Sequence, residues 1–480
     1  MSQPSDTPSP AGMAACDELL GHMGLDTGSG GGAVHISGDD PVSDSRFRPG
    51  AAVAGALAAQ GTAIAAIWRM RSGQGQDVAV DLPRAAVVGL RTSRNIYQNG
   101  THHEDLPRPT VKFPDFFRTR DGRMIYLLRS FANPEPLVKM LTLLDCVHSP
   151  QAMAAAVANW DALELEERVA EERLVGVIAR SRHEWRNHPQ GAWLAARPVI
   201  EIEKIGDSAP EPFQPAPRPL SGVRVLDVTH VLAGPASTRT LAEQGAEVLH
   251  ISALHQMDTP RVGIDTGLGK RQAFLDIDVP DHLAQLKRLA GGADIFVQSW
   301  RPGSLDRRGL SPQELAAARP GLIYVSVSCY GSGGPWRSRA GYEPCGQTAC
   351  GLVIDDGSPE KPRFAAVRTL NDYLTAYLAA AGALGALIRR AKEGGSYHVK
   401  VSLTRASMWV QDLGQLPQDQ WPQTPPSLRA RPEHLLAMDS SFGRLVVPAP
   451  ITQYSRTPAY WDRPPEPYGA SMPCWENTVP

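Results

Sequence analysis

The stretch Leu370 to Leu403, LNDYLTAYLAAAGALGALIRRAKEGGSYHVKVSL, decides the fold class. From Tyr373 to Arg390 it is built of small and apolar residues. Ala379, Ala380, Ala381, Ala383 and Ala386 favour helix, and Leu374, Leu378, Leu384, Leu387 and Ile388 give it apolar faces. Gly382 and Gly385 each cost about 1 kcal/mol against alanine, a cost that makes sense where another backbone packs close. Arg389, Arg390 and Lys392 complement the negative end of the helix dipole, and Gly394-Gly395 stop the helix. His398 to Leu403 then alternates as a strand. Asp372 falls at or just before the helix N-terminus, where a carboxylate is electrostatically favoured. The stretch alone leaves two readings of Asp372, a plain N-cap or a reactive carboxylate.

The same pattern occurs earlier in the chain. Ala51 to Arg71 reads as a small-residue helix, Ser72-Gly73-Gln74-Gly75 closes it, and Gln76 to Leu82 alternates as a strand. Val80 lines up with Val401, 321 residues on. At that offset Gly61 falls on Gly382, Ala65 on Ala386, Arg69 on Arg390, Gly73 on Gly394, Val78 on Val399 and Arg84 on Arg405. Such dense agreement reads as a partial duplication. The position matching Asp372 is Ala51, so the first copy keeps the scaffold and lacks the carboxylate.

Composition narrows the class. A chain of 480 residues predicts two domains or more. Hydrophobic residues at 42% and charged ones at 20% suit a globular protein, and a net charge of -2 points away from nucleic acid and anionic membranes. The six cysteines show neither a CxxC pair nor a regular framework, which predicts reduced thiols, no metal site and a cytoplasmic protein. The N-terminus lacks the pattern of a signal peptide, and no apolar run suggests a membrane span.

Taken in order, residues 1–44 are rich in Gly, Ser, Pro and Asp and are expected to be flexible, GSGGGA at Gly28 to Ala33 included. Residues 45–206 hold the repeat helix and strand and then a small α+β domain. It opens on a hairpin from Phe116 to Leu127 and has helices at Pro134 to Cys146, Gln151 to Ala179 and Trp185 to Ala196. A strand, Val199 to Ile205, closes it. Residues 207–219 (DSAPEPFQPAPRP) form a proline-rich linker. Residues 220–410 alternate strand and helix, the pattern of an open parallel sheet flanked by helices. Residues 411–480 read as an extended tail. The fold class is therefore α/β, an open parallel Rossmann-like sheet with a smaller α+β domain. In such sheets ligands bind beyond the carboxyl ends of the strands. The loops there are Thr229 to Pro235 (THVLAGP), Ser299 to Gly303 (SWRPG) and Cys329 to Pro335 (CYGSGGP).

Together these segments resemble the family III CoA-transferases, the group that includes formyl-CoA transferase, carnitine CoA-transferase and the α-methylacyl-CoA racemases. The resemblance lies in PLSGVRVLDVTHVLAGP, LAEQGAEVLHI, GKRQAFLDI, ADIFVQSWRPGSLDRRGLSPQEL, RPGLIYVSVSCYGSGGP and DYLTAYLAAAGALGAL, in the family's order, from Pro219 to about Ala406. The first half resembles the family's second-half helix and strand followed by its small domain, as in a rearranged chain. The resemblance implies transfer of CoA between an acyl-CoA and a free carboxylic acid, through a mixed anhydride on one aspartate, here Asp372. It implies CoA contacts at His230, Val231, Leu232 and Ala233, at Lys270, at Ser299, Trp300 and Arg307, and at Tyr330 and Gly331, with no tightly bound cofactor. It also implies a homodimer.

Ser252 and Ala253 stand where the family carries an acidic and then a basic residue, and Ser299 where Asn is common. His255 and Arg261 lie nearby as substitutes. Two rival readings stay open: an acyl-CoA racemase on the same fold, and an acyl-CoA-binding homologue without activity. In the racemases a His stands in a Gly-His-Asp segment, which here is Gly341-Tyr342-Glu343.

Overall fold

The structure, a computed structural model, describes residues 7–106, 112–129, 134–365, 367–422 and 429–476. Its centre is a seven-stranded sheet. The strands are β1 (Glu201–Gly206), β2 (Arg224–Val228), β3 (Glu247–Ser252), β4 (Lys270–Phe274), β5 (Ile295–Gln298), β6 (Ile323–Ser328) and β7 (Ser396–Ser402). Their order is β4-β3-β2-β5-β6-β7-β1, parallel except for β1, which runs antiparallel to β7. The α/β class read from the sequence is the one observed. The chain builds outward from β2 to β4, then returns to the other side of β2 with β5. The carboxyl ends of β2 and β5 therefore form the topological switch point where such sheets bind ligands.

Six helices position the site: α1 (Pro10–Met23), α2 (Pro49–Ser72), α3 (Ala233–Ala242), α4 (Glu343–Cys350), α5 (Leu370–Glu393) and α6 (Leu403–Asp412). α2 and α5 are each 24 residues long and start 321 positions apart, so the duplication is real in space. α5 lies against β6 and β7 and packs on both α2 and α3. The matched glycines do matched work. A Cβ at Gly382 would come within 2.6 Å of Val399 Cγ1, and one at Gly61 within 2.6 Å of Val78 Cγ1. Each helix thus presses its backbone onto its own strand. α2 is long and apolar enough to cross a bilayer by composition, which the sequence reading did not anticipate, but its apolar window is entirely buried inside the protein.

Several expectations need correction. Residues 1–44 hold ordered structure. Ser9 accepts a hydrogen bond from the Gly12 N–H at the start of α1, Gly24 closes it in the left-handed region, and Val34–Ser37 pairs parallel with Val78–Asp81. The glycines at Gly30 and Gly32 sit against α2 and the Gln76 backbone. The expected helix from Gln151 to Ala179 is two, Pro150–Val157 and Ala162–Glu171, followed by a strand, Gly176–Ile178. Arg120 ties the break by donating to the Asp161 carboxylate and the Asn159 carbonyl. The Glu166 carboxylate then fixes the strand through the Ile178 N–H and Arg180. The helix expected from Trp185 to Ala196 breaks at His188, which precedes a proline and is extended.

The strand expected to close the small domain is β1, the edge of the large sheet. Residues 207–219 therefore lead from one strand of that sheet towards another. They are pinned to its surface by the Glu211–Arg319 pair and by Arg71, which bonds the Gln214 and Pro219 carbonyls. The tail also departs from a plain arm. Leu435–Ser440 and Gly443–Pro448 form a hairpin that pairs with Tyr97–Gln98, with Leu445 and Val447 in a small core. Beyond it, Trp461 and Trp475 lie against the sheet domain.

Close helix–strand contact at Gly382 makes a direct prediction. Gly382→Ala should lower stability by about 1–3 kcal/mol through overpacking, in spite of its better helix propensity. Gly291→Ala, where a Cβ meets nothing within 4 Å, should be neutral or stabilising in the same urea titration.

Candidate functional site

Asp372 is the third residue of α5, after Leu370 and Asn371, and so lies inside the first turn, beyond the cap. It is 7% exposed, and among the described residues no hydrogen-bond donor and no cation in ion-pair range reaches its carboxylate. Burial pushes its pKa up to about 7. Facing it from the start of α4 is Glu343, 3% exposed, whose pKa burial and the Asp372 charge together raise well above the carboxylate range. One Glu343 oxygen, Oε1, accepts from Gln347 and from the Asn371 N–H; the other, Oε2, is buried with no partner. Asn371 is locked in turn: its Nδ2 donates to the Glu343 carbonyl and its Oδ1 accepts from the Ser407 hydroxyl of α6 at 2.7 Å. The result is a buried carboxylate pair whose environments differ, one oriented by amides, one without a donor. Such pairs divide acid from base.

The first half of the chain holds the other side of this turn. Tyr373 donates to Asp265 at 2.8 Å and accepts from the Ser93 N–H, Asp265 pairs with the buried Arg239, and Thr369 donates to the Leu90 carbonyl. Tyr377 reaches the Gly89 carbonyl. The α5 N-terminus is therefore positioned by residues 89–93, which sequence reading passes over because the contacts join positions nearly 300 residues apart.

The three loops expected at the switch point do converge. The His230 N–H donates to Ser299 Oγ at 3.1 Å, the Trp300 indole donates to the Val228 carbonyl, and the His230 and Trp300 rings meet edge to face. Both His230 ring nitrogens are buried with no partner, and burial lowers its pKa to about 4, so the imidazole is neutral. Val231 has φ 66°, a strained conformation for a β-branched residue, and its N–H is held by Asp258 at 2.8 Å. Leu232 and Ala233 are buried where α3 begins. Ser299, Trp300 and Tyr330 line one cleft with Arg301, Ser328, Cys329, Arg337 and Gly341-Tyr342. It runs on past Trp300 and Pro302 to Gln298, Ser326 and His398. Gly331, at φ 89°, lies under the Trp193 ring, where a side chain would not fit. Tyr342 ties this cleft to the carboxylate pair, being the residue before Glu343.

Of the two expected cationic contacts, Lys270 is turned inward and Arg307 lies at the margin of the cleft. Lys270 is 1% exposed and faces inward: its ammonium donates to Asp227 at 2.9 Å and to the Pro235 carbonyl at 2.6 Å. Burial would raise the Asp227 pKa, but Lys270 and His250 hold it well below the usual range. Lys270 therefore braces the first loop from beneath and is out of reach of a phosphate in the cleft. Arg307 sits on an exposed turn, Asp306–Arg308, next to the cleft residue Asp306. Ser252 has its hydroxyl buried without a partner, Ala253 is buried, and His255 is exposed, 3.8 Å from Asp276. From sequence, Glu343 reads only as a possible base; its GYE segment beside a glycine-rich loop is the signal. Arg301 and Arg337 are legible only as members of SWRPG and PWRSRAGYE.

In the first copy Ala51 stands in the first turn of α2, and the Asp40 carboxylate caps that turn, accepting from the Gly50 and Ala51 N–H groups at 3.0 and 2.8 Å. Asp40 thus plays the part at this turn that Glu343 plays at the other, accepting from the N–H matched to that of Asn371.

Residues 19–210 and 220–434 match the model of CoA-transferase family III. An acetyl-coenzyme A transferase of Hypoxylon pulicicidum is 31% identical over 345 residues, 67% of this chain and 58% of that protein. A succinyl-CoA–D-citramalate CoA-transferase of Chloroflexus aurantiacus is 35% identical over 202 residues, 40% of this chain and 50% of that protein. The crystal structure of a CAIB/BAIF family protein from Brucella suis is 26% identical, covers 47% of this chain and 65% of that one, and has a TM-score of 0.38. The chain thus spans between half and three-fifths of the length of these two curated relatives.

The electrostatics predict two opposite outcomes. Asp372 has a folded pKa above its unfolded value, so the stability it contributes is present below about pH 4 and is lost as pH rises through about 7. Asp372→Asn should therefore raise the melting temperature at pH 8, and the gain should shrink as pH falls below about 7 and vanish only near pH 4. Lys270→Ala strands a buried carboxylate and should cost about 3–5 kcal/mol in chemical denaturation. A Lys270→Ala protein of unchanged stability would contradict the inward placement.

Proposed function

As the chain belongs to CoA-transferase family III, we propose that it moves CoA between an acyl-CoA thioester and a free carboxylic acid, with Asp372 as the nucleophile. The observation that carries this reading is the carboxylate itself: buried in the first turn of α5, without a donor to blunt it, beside Glu343, whose pKa burial and the Asp372 charge raise well above the carboxylate range. The ionised Asp372 oxygen attacks the thioester carbonyl. The C–S bond breaks, CoA leaves as the thiolate and an aspartyl mixed anhydride remains. The thiolate then attacks the aspartyl carbonyl, which releases the first acid and leaves an aspartyl thioester. The acceptor carboxylate attacks that thioester, the thiolate is expelled again, and its attack on the acceptor's acyl carbon forms the new acyl-CoA and frees Asp372. Glu343, whose Oε2 is buried without a partner and whose pKa burial raises, suits a hydrogen-bond donor in its acid form to the oxygen that gains charge. The cleft under Trp300, Ser299 and Tyr330 suits the CoA chain, His230 to Ala233 its entry at the switch point, and the relatives named for acetyl-CoA and succinyl-CoA chemistry support the same class. With Ala51 at the matching position of the first copy, one acylation site per chain is expected.

A racemase reading is disfavoured by Tyr342, which stands where a base is needed. Burial raises its pKa above an already high value, and it takes no proton at neutral pH.

The test is turnover of acyl-CoA with a panel of carboxylic acids. Asp372→Ala should lose at least about a hundredfold in kcat, and wild-type kcat/KM should fall tenfold per unit of pH below about 7 as Asp372 protonates. Held with a 2-methylacyl-CoA in heavy water, the protein should incorporate no deuterium at the α-carbon. Full activity in Asp372→Ala would sink the nucleophile assignment, and α-exchange at the rate of turnover would promote the racemase.

A further inference from the structure

The glycine-rich loop after β6, Cys329 to Pro335, is gripped by the small domain. Gln190 is the second residue of the helix Pro189–Ala195, is fully buried and precedes Tyr330 of the loop by 140 positions. Its Nε2 donates to the Tyr330 carbonyl at 2.6 Å and to the Gly333 carbonyl at 2.9 Å, and its Oε1 accepts from the Trp336 N–H at 2.7 Å. One side-chain amide thus directs both its donors and its acceptor at a single loop. A turn further along the helix, the Trp193 ring lies against Gly331 and Gly333, where a Cβ would come within 2.6 and 2.5 Å of it. The Arg197 guanidinium holds that ring from 3.6 Å and donates to the Trp193 carbonyl. Trp336, at the far end of the loop, packs against Trp185 and His188.

Gly331 and Gly334 take φ values of 89° and 77°, so the loop is of a kind that samples many conformations when nothing holds it. Ordering such a segment costs conformational entropy, which weakens ligand binding unless the fold has ordered it beforehand. The segment also matters at both ends. Tyr330 lines the cleft, and the chain runs on through Gly341-Tyr342, in the same wall, to Glu343 of the carboxylate pair.

We propose that Gln190 and Trp193 are positioning residues of the transfer reaction: acting through the loop, they hold Tyr330 to Trp336 in the conformation that receives the acyl-CoA. The inference rests on the transferase reading for the identity of the ligand, while the grip stands on the contacts alone. Only an amide can make all three bonds of Gln190. Methionine keeps the volume and loses them all. Glutamate keeps the acceptor but sets a carboxylate against two carbonyl oxygens, and on protonation it regains one donor. Burial raises a carboxyl pKa, so that proton returns near neutral pH.

The experiment compares wild type with Gln190→Met, Gln190→Glu and Trp193→Ala. Hydrogen exchange in the peptide that holds Trp336 reads the order of the loop, calorimetry with CoA reads binding, and steady-state kinetics read the reaction. Gln190→Met and Trp193→Ala should exchange faster there and weaken CoA about tenfold. The KM for acyl-CoA should rise by the same factor, with kcat and the KM of the acceptor acid level. Gln190→Glu should bind CoA poorly at about pH 8 and recover towards wild type, compared at equal pH, as pH falls to about 6. Residues that serve folding alone would lower the melting temperature and leave CoA affinity and KM of the folded variants unchanged; that result would overturn the proposal. Trp193 is only half-buried, so Trp193→Ala decides the matter if the Gln190 variants fail to fold. Wild type that binds CoA and transfers none would fail the transferase reading, and the binding data would still decide the grip. Wild type that binds no CoA would overturn both.

Discussion

The cost of burying charge at Asp372 is the constraint around which the molecule is arranged. A carboxylate in the first turn of a helix gains from the aligned N–H dipoles, yet this one is shut off from water and given no donor. The residues on either side of it in the first turn are engaged elsewhere. Asn371 donates its Nδ2 to the Glu343 carbonyl and accepts from the Ser407 hydroxyl at Oδ1, Tyr373 gives its hydroxyl to Asp265, and Thr369 gives its own to Leu90. A group held in that state is reactive as an anion and inexpensive as an acid. The fold tolerates it because α5 is fixed along its length by Val399, by α2 and by α3.

Duplication supplies that fixation. The two helices that start 321 residues apart share a length, a stop and a glycine pressed on a valine, and they lie against each other. What differs is the first turn. The second copy leaves a carboxylate unsatisfied there; the first has Ala51 and borrows Asp40 to satisfy the same N–H groups. One copy serves as scaffold, and residues 89–93 that follow it complete the surroundings of the other copy's carboxylate-bearing turn.

How much of this is legible in the sequence depends on the range of the interaction. The long α5 helix, the Gly394 stop, the hairpin at Asp121-Gly122 and the alternating strands are local, and they read well from periodicity and turn chemistry. α1 escapes the sequence reading although Ser9, Pro10 and Gly24 are its start and stop signals, since glycine-rich and serine-rich flanks mask a helix of modest apolar contrast. β1 reads as a strand but not as part of the large sheet, because alternation says nothing of which edge a strand joins. Lys270 fails for a sharper reason. A lysine at a strand start is usually solvated, and only the fold shows Asp227, 43 residues earlier, buried on β2 beneath the same loop. Spacing alone places Asp372 correctly at the helix start, whereas its partner Glu343 and the cleft residues Arg301 and Arg337 need the sheet's loops to be brought together.

Chemical trapping reaches the central claim most directly. The protein turning over an acyl-CoA is quenched with hydroxylamine, digested and mapped by mass spectrometry. A hydroxamate on Asp372, in the peptide that begins α5, is the expected result, at a yield approaching one per chain and with none on the first-copy helix. A hydroxamate on Glu343 instead, or none anywhere while CoA transfer proceeds, would contradict the account.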